Sequence, residues 1–589
     1  MSISQNDLNL AIQNHQKGNY KQAEDIYKKL LRQNSNDINV LYYYGLLSVQ
    51  LKKYDQAIDL LKKGLELNPA DNIVKDIYLV IGEIYLGLND INTAKNYYKE
   101  ALISDSYDLI ANYNLGNIYL QLNQPDDAIE HYNRALVNKT DEVDIYKKLI
   151  GACSIKENID GIINYYQKLI ELQPNNPQNY FNIGVYLNKK NDISNAYKAY
   201  LNAIYLKPDM IEAHINLGNI YHRIRDFQKE KETFLKVLEL NKNYIEAYLY
   251  LAGAYVETGD VQNSIDICQK GLEVSPGNDS LMFYLGRAKM LQGDIDQGWE
   301  YFKYRREVNE RKELNTYLLD TNDSLYDKNI FVYWDSGFGD SLQFIRYIPL
   351  LEEMGSKITL QIQNPLIDLI KENYPQINVF SKQDNLTEVE HDFHINLTSL
   401  AYLFKREKEN IPFKEGYLKA NADKVRQFKE NYFDNNDFKI GISWYSHVNS
   451  HNKDIIEDLK AFYPLSKIKG VKIYSLQVTE GKRSFNDLPE GVEIVNLGDD
   501  FKDFSDTAAA IENLDLVIAI DSVIVHLAAA MKKPTWTILT TAPNWRWSLY
   551  GEDTYWYDSM RLFRRKDSVN MDEVFERLIK ELEVVLEQK

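Results

Sequence analysis

Two aspartates stand where alternating strands and helices place chemistry. Gly337-Phe338-Gly339-Asp340 follows the apolar run IFVYW and precedes a helix expected from about Ser341. Glycines at 337 and 339 let the backbone approach a ligand, and the carboxylate falls at the carboxyl edge of a sheet, where doubly wound folds hold their ligands. Capping the helix is the ordinary alternative role for Asp340. Asp521-Ser522 ends a second buried run, LVIAI, and VIVHLAAAM then opens a helix whose free N–H groups can receive a phosphate. Ser522 reads either as a phosphate ligand or as a plain helix cap. His526, four residues on, reads as a ligand-site residue or as a satisfied histidine on the inner helix face.

Cations are needed to offset phosphate charge, and two are candidates. Lys453 lies in the loop segment GISWYSHVNSHNKD, with a solvated surface lysine as its alternative. Arg546, in APNWRWSLYG, can neutralise a diphosphate or stack on a base. The competing description is packing of Trp545 and Trp547 against a final helix from Met571 to Glu587. His447 and His451 are four apart, yet their segment reads as a loop without an HExxH pattern, so no metal site is expected. No cofactor is expected either.

The elements that must position these residues change character along the chain. From Ile330 short apolar strands alternate with amphipathic helices: IFVYW and KITLQI first, then KIGISW, VKIYSL, VEIVNL, LDLVIAI and PTWTIL. That alternation implies parallel sheets with helices on their faces. Two Rossmann-like halves are expected, 329–436 and 437–589, preceded by a polar linker over 310–328.

Residues 1–309 are an internal repeat. Ala23, Ala57, Ala94, Ala128, Gly161, Ala196, Glu230, Ser264 and Gly298 are spaced by 33 to 37 residues. Twelve positions before these anchors stand Ala11, Gly45, Gly82, Gly116, Leu149, Gly184, Gly218, Ala252 and Gly286. Two helices of a hairpin cross closely only where a small side chain meets the contact, so nine helical hairpins are expected. The 44 tyrosines read as packing between stacked helices.

A formal charge of −18 argues against a nucleic-acid backbone as partner. Only two cysteines, Cys153 and Cys268, are present, which excludes a disulfide framework. The first residues, MSISQNDLNLAIQ, lack the basic flank and apolar core of a signal peptide, so a cytoplasmic location is expected. Leu514 to Met531 is interrupted by Asp515, Asp521 and His526 and does not read as a membrane span.

The hairpin pattern resembles the tetratricopeptide repeat, with NYNLGNIYLQLNQPDDAIEHYNRAL at 112–136 as the closest copy. The resemblance implies an α-solenoid that binds an extended peptide or protein. Asn114, Asn182 and Asn216, two before the repeat glycine, resemble the asparagine ladder of protein O-linked N-acetylglucosamine transferases and imply acceptor binding. Asparagine is also common there in ordinary tetratricopeptide repeats. The Gly337–Asp340 and 504–539 segments resemble the heptosyltransferase superfamily, and the Trp545-Arg546-Trp547 element its tetratricopeptide-linked relatives. What this implies is a GT-B glycosyltransferase, metal-independent and inverting. Asp340 would be general base, with Gly337, Gly339, Lys453, Asp521, Ser522, His526 and Arg546 on the nucleotide-sugar, which is a substrate and not a cofactor. The acceptor implied is a protein held by the repeats, with self-association of the repeats also open. A non-catalytic adaptor, and a transferase acting on a lipid-linked saccharide, remain alternatives.

Overall fold

The computed structural model describes residues 5–305, 317–319, 323–381, 383–384, 389–404, 410–445, 459–478, 485, 488–566 and 572–588. The chain divides into two compact units, Met1–Leu217 and Gly218–Lys589.

Eighteen helices, from Gln5–Gln16 to Ile295–Phe302, make up nine consecutive hairpins of a tetratricopeptide solenoid. Within each hairpin one turn residue has positive φ: Gly18, Lys52, Asn89, Asn123, Glu157, Asn191, Arg225, Gly259 and Gly293. This left-handed residue reverses the chain in the two or three positions available between helices. Aspartate or asparagine caps open many of the helices; Asp108, for example, accepts from the backbone N–H of Ala111 at 2.9 Å.

The repeat glycines are sockets for rings. A Cβ at Gly82 would meet the Tyr98 ring at 3.0 Å, one at Gly184 the Tyr200 ring at 2.7 Å, and one at Gly218 the Phe234 ring at 2.7 Å. In each case the ring comes from the partner helix, sixteen residues on. Tyr27, Tyr98, Tyr132 and Tyr200 are fully buried. In the last hairpin the neighbour is main chain and not a ring: a Cβ at Gly286 would meet the backbone nitrogen of Phe302 at 2.8 Å.

The second unit continues from the last hairpins into two parallel sheets. The first contains β1 (Tyr317–Leu318), β2 (Asn329–Tyr333), β3 (Lys357–Ile362), β4 (Asn378–Ser381) and β5 (Phe393–Asn396), in the order β1-β5-β2-β3-β4. The second contains β6 (Phe438–Ser443), β7 (Val471–Ser475), β8 (Ile494–Asn496), β9 (Leu516–Ile520), β10 (Thr535–Leu539) and β11 (Met560–Arg564), in the order β11-β10-β9-β6-β7-β8. All nine pairings are parallel, giving two Rossmann-like halves of a GT-B-like α/β region. The short strand β1 lies inside the stretch expected to be linker.

Tryptophans hold the last hairpin to this α/β region. Trp299 meets Trp545 and Trp556 edge-on, with centroids 5.9 and 6.3 Å apart, and Phe302 lies 5.0 Å from Trp545. Met290, Ile295, Trp299 and Phe302 thus belong to the same buried core as the β2 and β9 strands. Trp545 and Trp547 do not pack on the final helix, Asp572–Glu587, whose buried face belongs to a separate cluster with Phe438 and Ile518.

The two halves are joined by a buried cation. Arg346, fully buried, donates to the carbonyl of Trp556 at 2.8 Å and to the hydroxyl of Tyr417 at 3.2 Å, with the Tyr557 ring 4.5 Å away. Carbonyls and ring faces replace water around a guanidinium that a lone burial would strongly penalise.

Candidate functional site

The carboxyl ends of both sheets open into one cavity of about 860 Å³. Gly337, Gly339, Asp340, Asp521, Ser522, His526 and Arg546 all line it. Lys453, like His447 and His451, lies outside the described residues. Asn114, Asn182 and Asn216 sit half-buried on the first helices of their hairpins, in the Met1–Leu217 unit. Asn182 accepts there from Gln178 at 2.9 Å.

Asp340 lies in the first turn of the Phe338–Phe344 helix, whose cap position is Gly337. It is no cap itself. One carboxylate oxygen accepts from the Ser336 hydroxyl at 2.7 Å and the other is paired with the guanidinium of Arg546. Arg546 is fixed from its other edge by Gln343, to which its Nε donates at 2.8 Å, and by the Trp545 ring 5.2 Å away. About a fifth of the Asp340 side chain, 21%, stays open toward the cavity. Burial pushes the Asp340 carboxyl up, but Arg546 and the Ser336 hydroxyl outweigh it and hold the group below its ordinary value.

Asp521 experiences the opposite balance. Burial at the end of β9 raises its carboxyl, and Arg546 offsets this only in part. Two carboxyl groups in one cavity are therefore displaced in opposite directions, the pattern by which one site holds both a charged and a protonatable acid.

Ser522 occupies the cap position of the Val523–Ala530 helix in extended conformation, φ −150° and ψ 172°. Its hydroxyl makes no cap bond and no other hydrogen bond, although it is shielded from solvent. The first N–H groups of this helix thus face the cavity without a side-chain cap, at the positive end of the helix dipole.

His526 is the residue around which this wall is packed. Its Nδ1 lies 3.0 Å from the Tyr557 hydroxyl and its ring stacks on Trp547 at 5.3 Å. Burial, together with the neighbouring Arg546, holds its pKa well below the ordinary histidine value. Gly339 serves this packing as well as the cavity: a Cβ there would come within 2.8 Å of His526 Cδ2.

The cavity also takes in residues that motif reading passes over. Gln477, just after β7, accepts from the Ser443 hydroxyl at 3.1 Å and the Tyr445 N–H at 3.1 Å, tying two strand ends together. Asp503 caps the Phe504–Glu512 helix through the Ser505 N–H at 2.7 Å. A polar residue directly after each apolar strand was the available signal for Gln477. Arg225, Val256, Glu257 and Arg287 come from the last three hairpins and line the same cavity. Nothing in their repeat positions marks them.

Among the described residues, no helix is long and apolar enough to cross a membrane. Neither do three or more His, Cys, Asp or Glu side chains gather there in a metal-binding cluster.

Comparison with known proteins agrees with both parts. Tetratricopeptide repeat models match residues 15–78, 76–105, 110–138, 177–210 and 211–244. BBSome complex member BBS4 from Bos taurus is 31% identical over 85 residues, and the Dictyostelium discoideum protein STIP1 homolog is 32% identical over 117. These alignments span 14% and 19% of this chain, and 16% and 21% of those proteins. The C-terminal part of a repeat-containing protein from Cytophaga hutchinsonii superposes with a TM-score of 0.30 at 18% identity, covering 47% of this chain and 99% of that one. Residues 480–566, which contain β8 to β11, match the model of glycosyltransferase family 9 (heptosyltransferase). The chain therefore joins an array of tetratricopeptide repeats to a C-terminal domain of the glycosyltransferase family 9, or heptosyltransferase, type.

Proposed function

We propose that this protein transfers a sugar from a nucleotide-activated donor to a hydroxyl of a protein recruited by the repeats, with inversion and without a metal ion. The carrying observation is the meeting, in one cavity, of the Asp340 carboxylate, the Arg546 guanidinium and the uncapped start of the Val523–Ala530 helix. Residues 437–589 would hold the donor, 329–436 the acceptor side, and 1–309 the acceptor chain, with Asn114, Asn182 and Asn216 contacting its backbone. Two unpaired buried cysteines suit a reducing compartment such as the cytoplasm.

In this reading the acceptor oxygen attacks the anomeric carbon while its proton passes to Asp340. The bond from that carbon to the donor phosphate breaks, its electron pair leaving with the nucleotide. The helix N–H groups, the Ser522 hydroxyl and Arg546 stabilise the charge that develops on the phosphate. A carboxylate paired with arginine is a weak base. Arrival of a diphosphate gives Arg546 a competing anion, and any loosening of the pair raises the basicity of Asp340.

The test is thermal unfolding of the full chain against nucleoside mono- and diphosphates and their sugar conjugates. One nucleotide class should stabilise the protein, by about 2.7 kcal/mol at a hundredfold excess over Kd. Ser522→Asp should abolish that shift while leaving the ligand-free transition in place. Absence of stabilisation by every nucleotide overturns the transferase reading; binding without sugar transfer or donor hydrolysis supports an adaptor instead.

A further inference from the structure

Resting on the transferase reading, we propose that the last three hairpins form the wall against which the acceptor lies beside the reacting centre, and that this wall selects an acidic, extended peptide segment. Arg225, Glu257 and Arg287 each come from a different, successive hairpin, and all three line the cavity that contains Asp340. A surface assembled one residue per repeat runs along the array, which suits a ligand in extended conformation.

The wall is fixed against the α/β region, not hinged to it. The backbone N–H of Leu549 donates at 3.0 Å to the carbonyl of Leu291, in the last turn of the Asp279–Gln292 helix that carries Arg287. A Cβ on Gly259, two residues after Glu257, would meet Leu549 at 3.6 Å and Ala542 at 3.7 Å. With the Trp299 cluster behind them, these contacts hold the hairpins of Glu257 and Arg287 in place before any acceptor arrives.

Charge supplies the selectivity. The cavity lining carries five basic side chains, Arg225, Arg287, Lys502, Arg546 and Arg565, against four carboxylates, Glu257, Asp340, Asp503 and Asp521. The whole chain, by contrast, has a net charge of −18. Arg546 is committed to Asp340, whereas Arg287 meets Glu257 at 3.4 Å with 21% and 38% of the two side chains exposed, an exchangeable pair. The repeat-borne edge therefore presents two guanidiniums and one carboxylate, and acidic side chains flanking an acceptor hydroxyl fit that pattern.

Fluorescently labelled Glu-Glu-Ser-Glu-Glu-Ser and Gln-Gln-Ser-Gln-Gln-Ser peptides test this on the full chain, titrated with and without UDP, GDP and ADP. The acidic peptide should bind at least tenfold more tightly than the neutral one, with a preference that weakens as salt is added. The doubly substituted protein Arg225→Gln/Arg287→Gln should lose most of that preference, while Arg225→Lys/Arg287→Lys keeps it and both retain the nucleotide-induced thermal shift. Equal binding of the two peptides, or an unchanged preference in the glutamine protein, overturns the proposal. Displacement of the acidic peptide by glucose 1-phosphate as readily as by its unlabelled self also overturns it, assigning the wall to a saccharide phosphate. The peptide titration is read directly, so loss of the nucleotide shift in the wild type defeats the transferase reading without deciding this one.

Discussion

Arg546 and Asp340 form an ion pair that crosses from one sheet to the other: the guanidinium follows β10 of the second, and the carboxylate opens the first helix after β2 of the first. The same guanidinium is also the cation that holds down the charge cost of Asp521. Replacing it should leave two buried carboxyl groups without their counterion. Arg546→Met is expected to destabilise the folded state at neutral pH by about 3–5 kcal/mol, read from denaturant midpoints. The folded-state pKa of Asp340 is depressed, so the stability it contributes is present above the ordinary carboxylate range and is lost as pH falls through the folded value. The deficit of the variant should accordingly shrink in acid. An equal deficit at pH 7 and well below the ordinary aspartate range, at about pH 2, would show that packing of Arg546, and not its charge, is what matters.

Asp340→Asn keeps the size of the side chain and its bond to Ser336 but removes its capacity to take a proton. Turnover of the donor identified by the thermal-shift panel should fall by about a hundredfold or more, with donor affinity little changed. Parallel loss of affinity and turnover would instead make Asp340 a binding group, acting through Arg546.

His526 makes stability depend on pH in the same direction for a different reason, since burial disfavours its charged form. Its folded-state pKa is held well below the ordinary value, so as pH falls through about 6.5 the unfolded chain takes up a proton that the folded chain refuses. Stability of the second unit should therefore drop on acidification, by roughly 1.4 kcal/mol per pH unit from this residue alone until the folded value is reached. His526→Phe should flatten that slope. A variant with the same slope as the wild type would assign it to other groups.

Trp299 belongs by sequence to a repeat and by packing to the core of the α/β region. Trp299→Ala should cost about 3–5 kcal/mol, read as a lower unfolding midpoint of that region. A fragment beginning at 310 would lack Met290, Ile295, Trp299 and Phe302 and expose Trp545 and Trp556; it should fail to unfold cooperatively. A fragment beginning at 208, before the Ile211–Arg223 helix, should unfold cooperatively. Cooperative unfolding of both fragments would show that the shared core is dispensable.

The sequence made the repeats and most of the second sheet readable because each rests on local periodicity. Small residues at 34-residue spacing report helix crossings, and the five apolar runs from KIGISW to PTWTIL became β6 to β10. Strand β11, MRLFR, is disguised by Arg561 and Arg564 on a sheet edge, and β5, FHIN, by two polar residues that the fold buries fully. Asp340, Ser522 and Arg546 were identifiable from motifs at strand ends. Arg225, Glu257 and Arg287 were not, because a repeat-surface position acquires its meaning only when the array docks. The αL turn placing Arg225 is the same turn used by the other hairpins.

The distribution of the tryptophans gives the molecule a built-in reporter. All seven lie at or beyond Trp299, and Trp299, Trp545, Trp547 and Trp556 are buried around the cavity wall or the core behind it. Met1–Leu217 contains tyrosine but no tryptophan. Emission excited at the red edge of absorption therefore observes only the second unit, and circular dichroism observes the helices of both units. An optical melt followed both ways separates events that a single trace would merge. A ligand that shifts the tryptophan trace acts on the second unit, and one that shifts the dichroism without the tryptophan trace acts on the Met1–Leu217 hairpins.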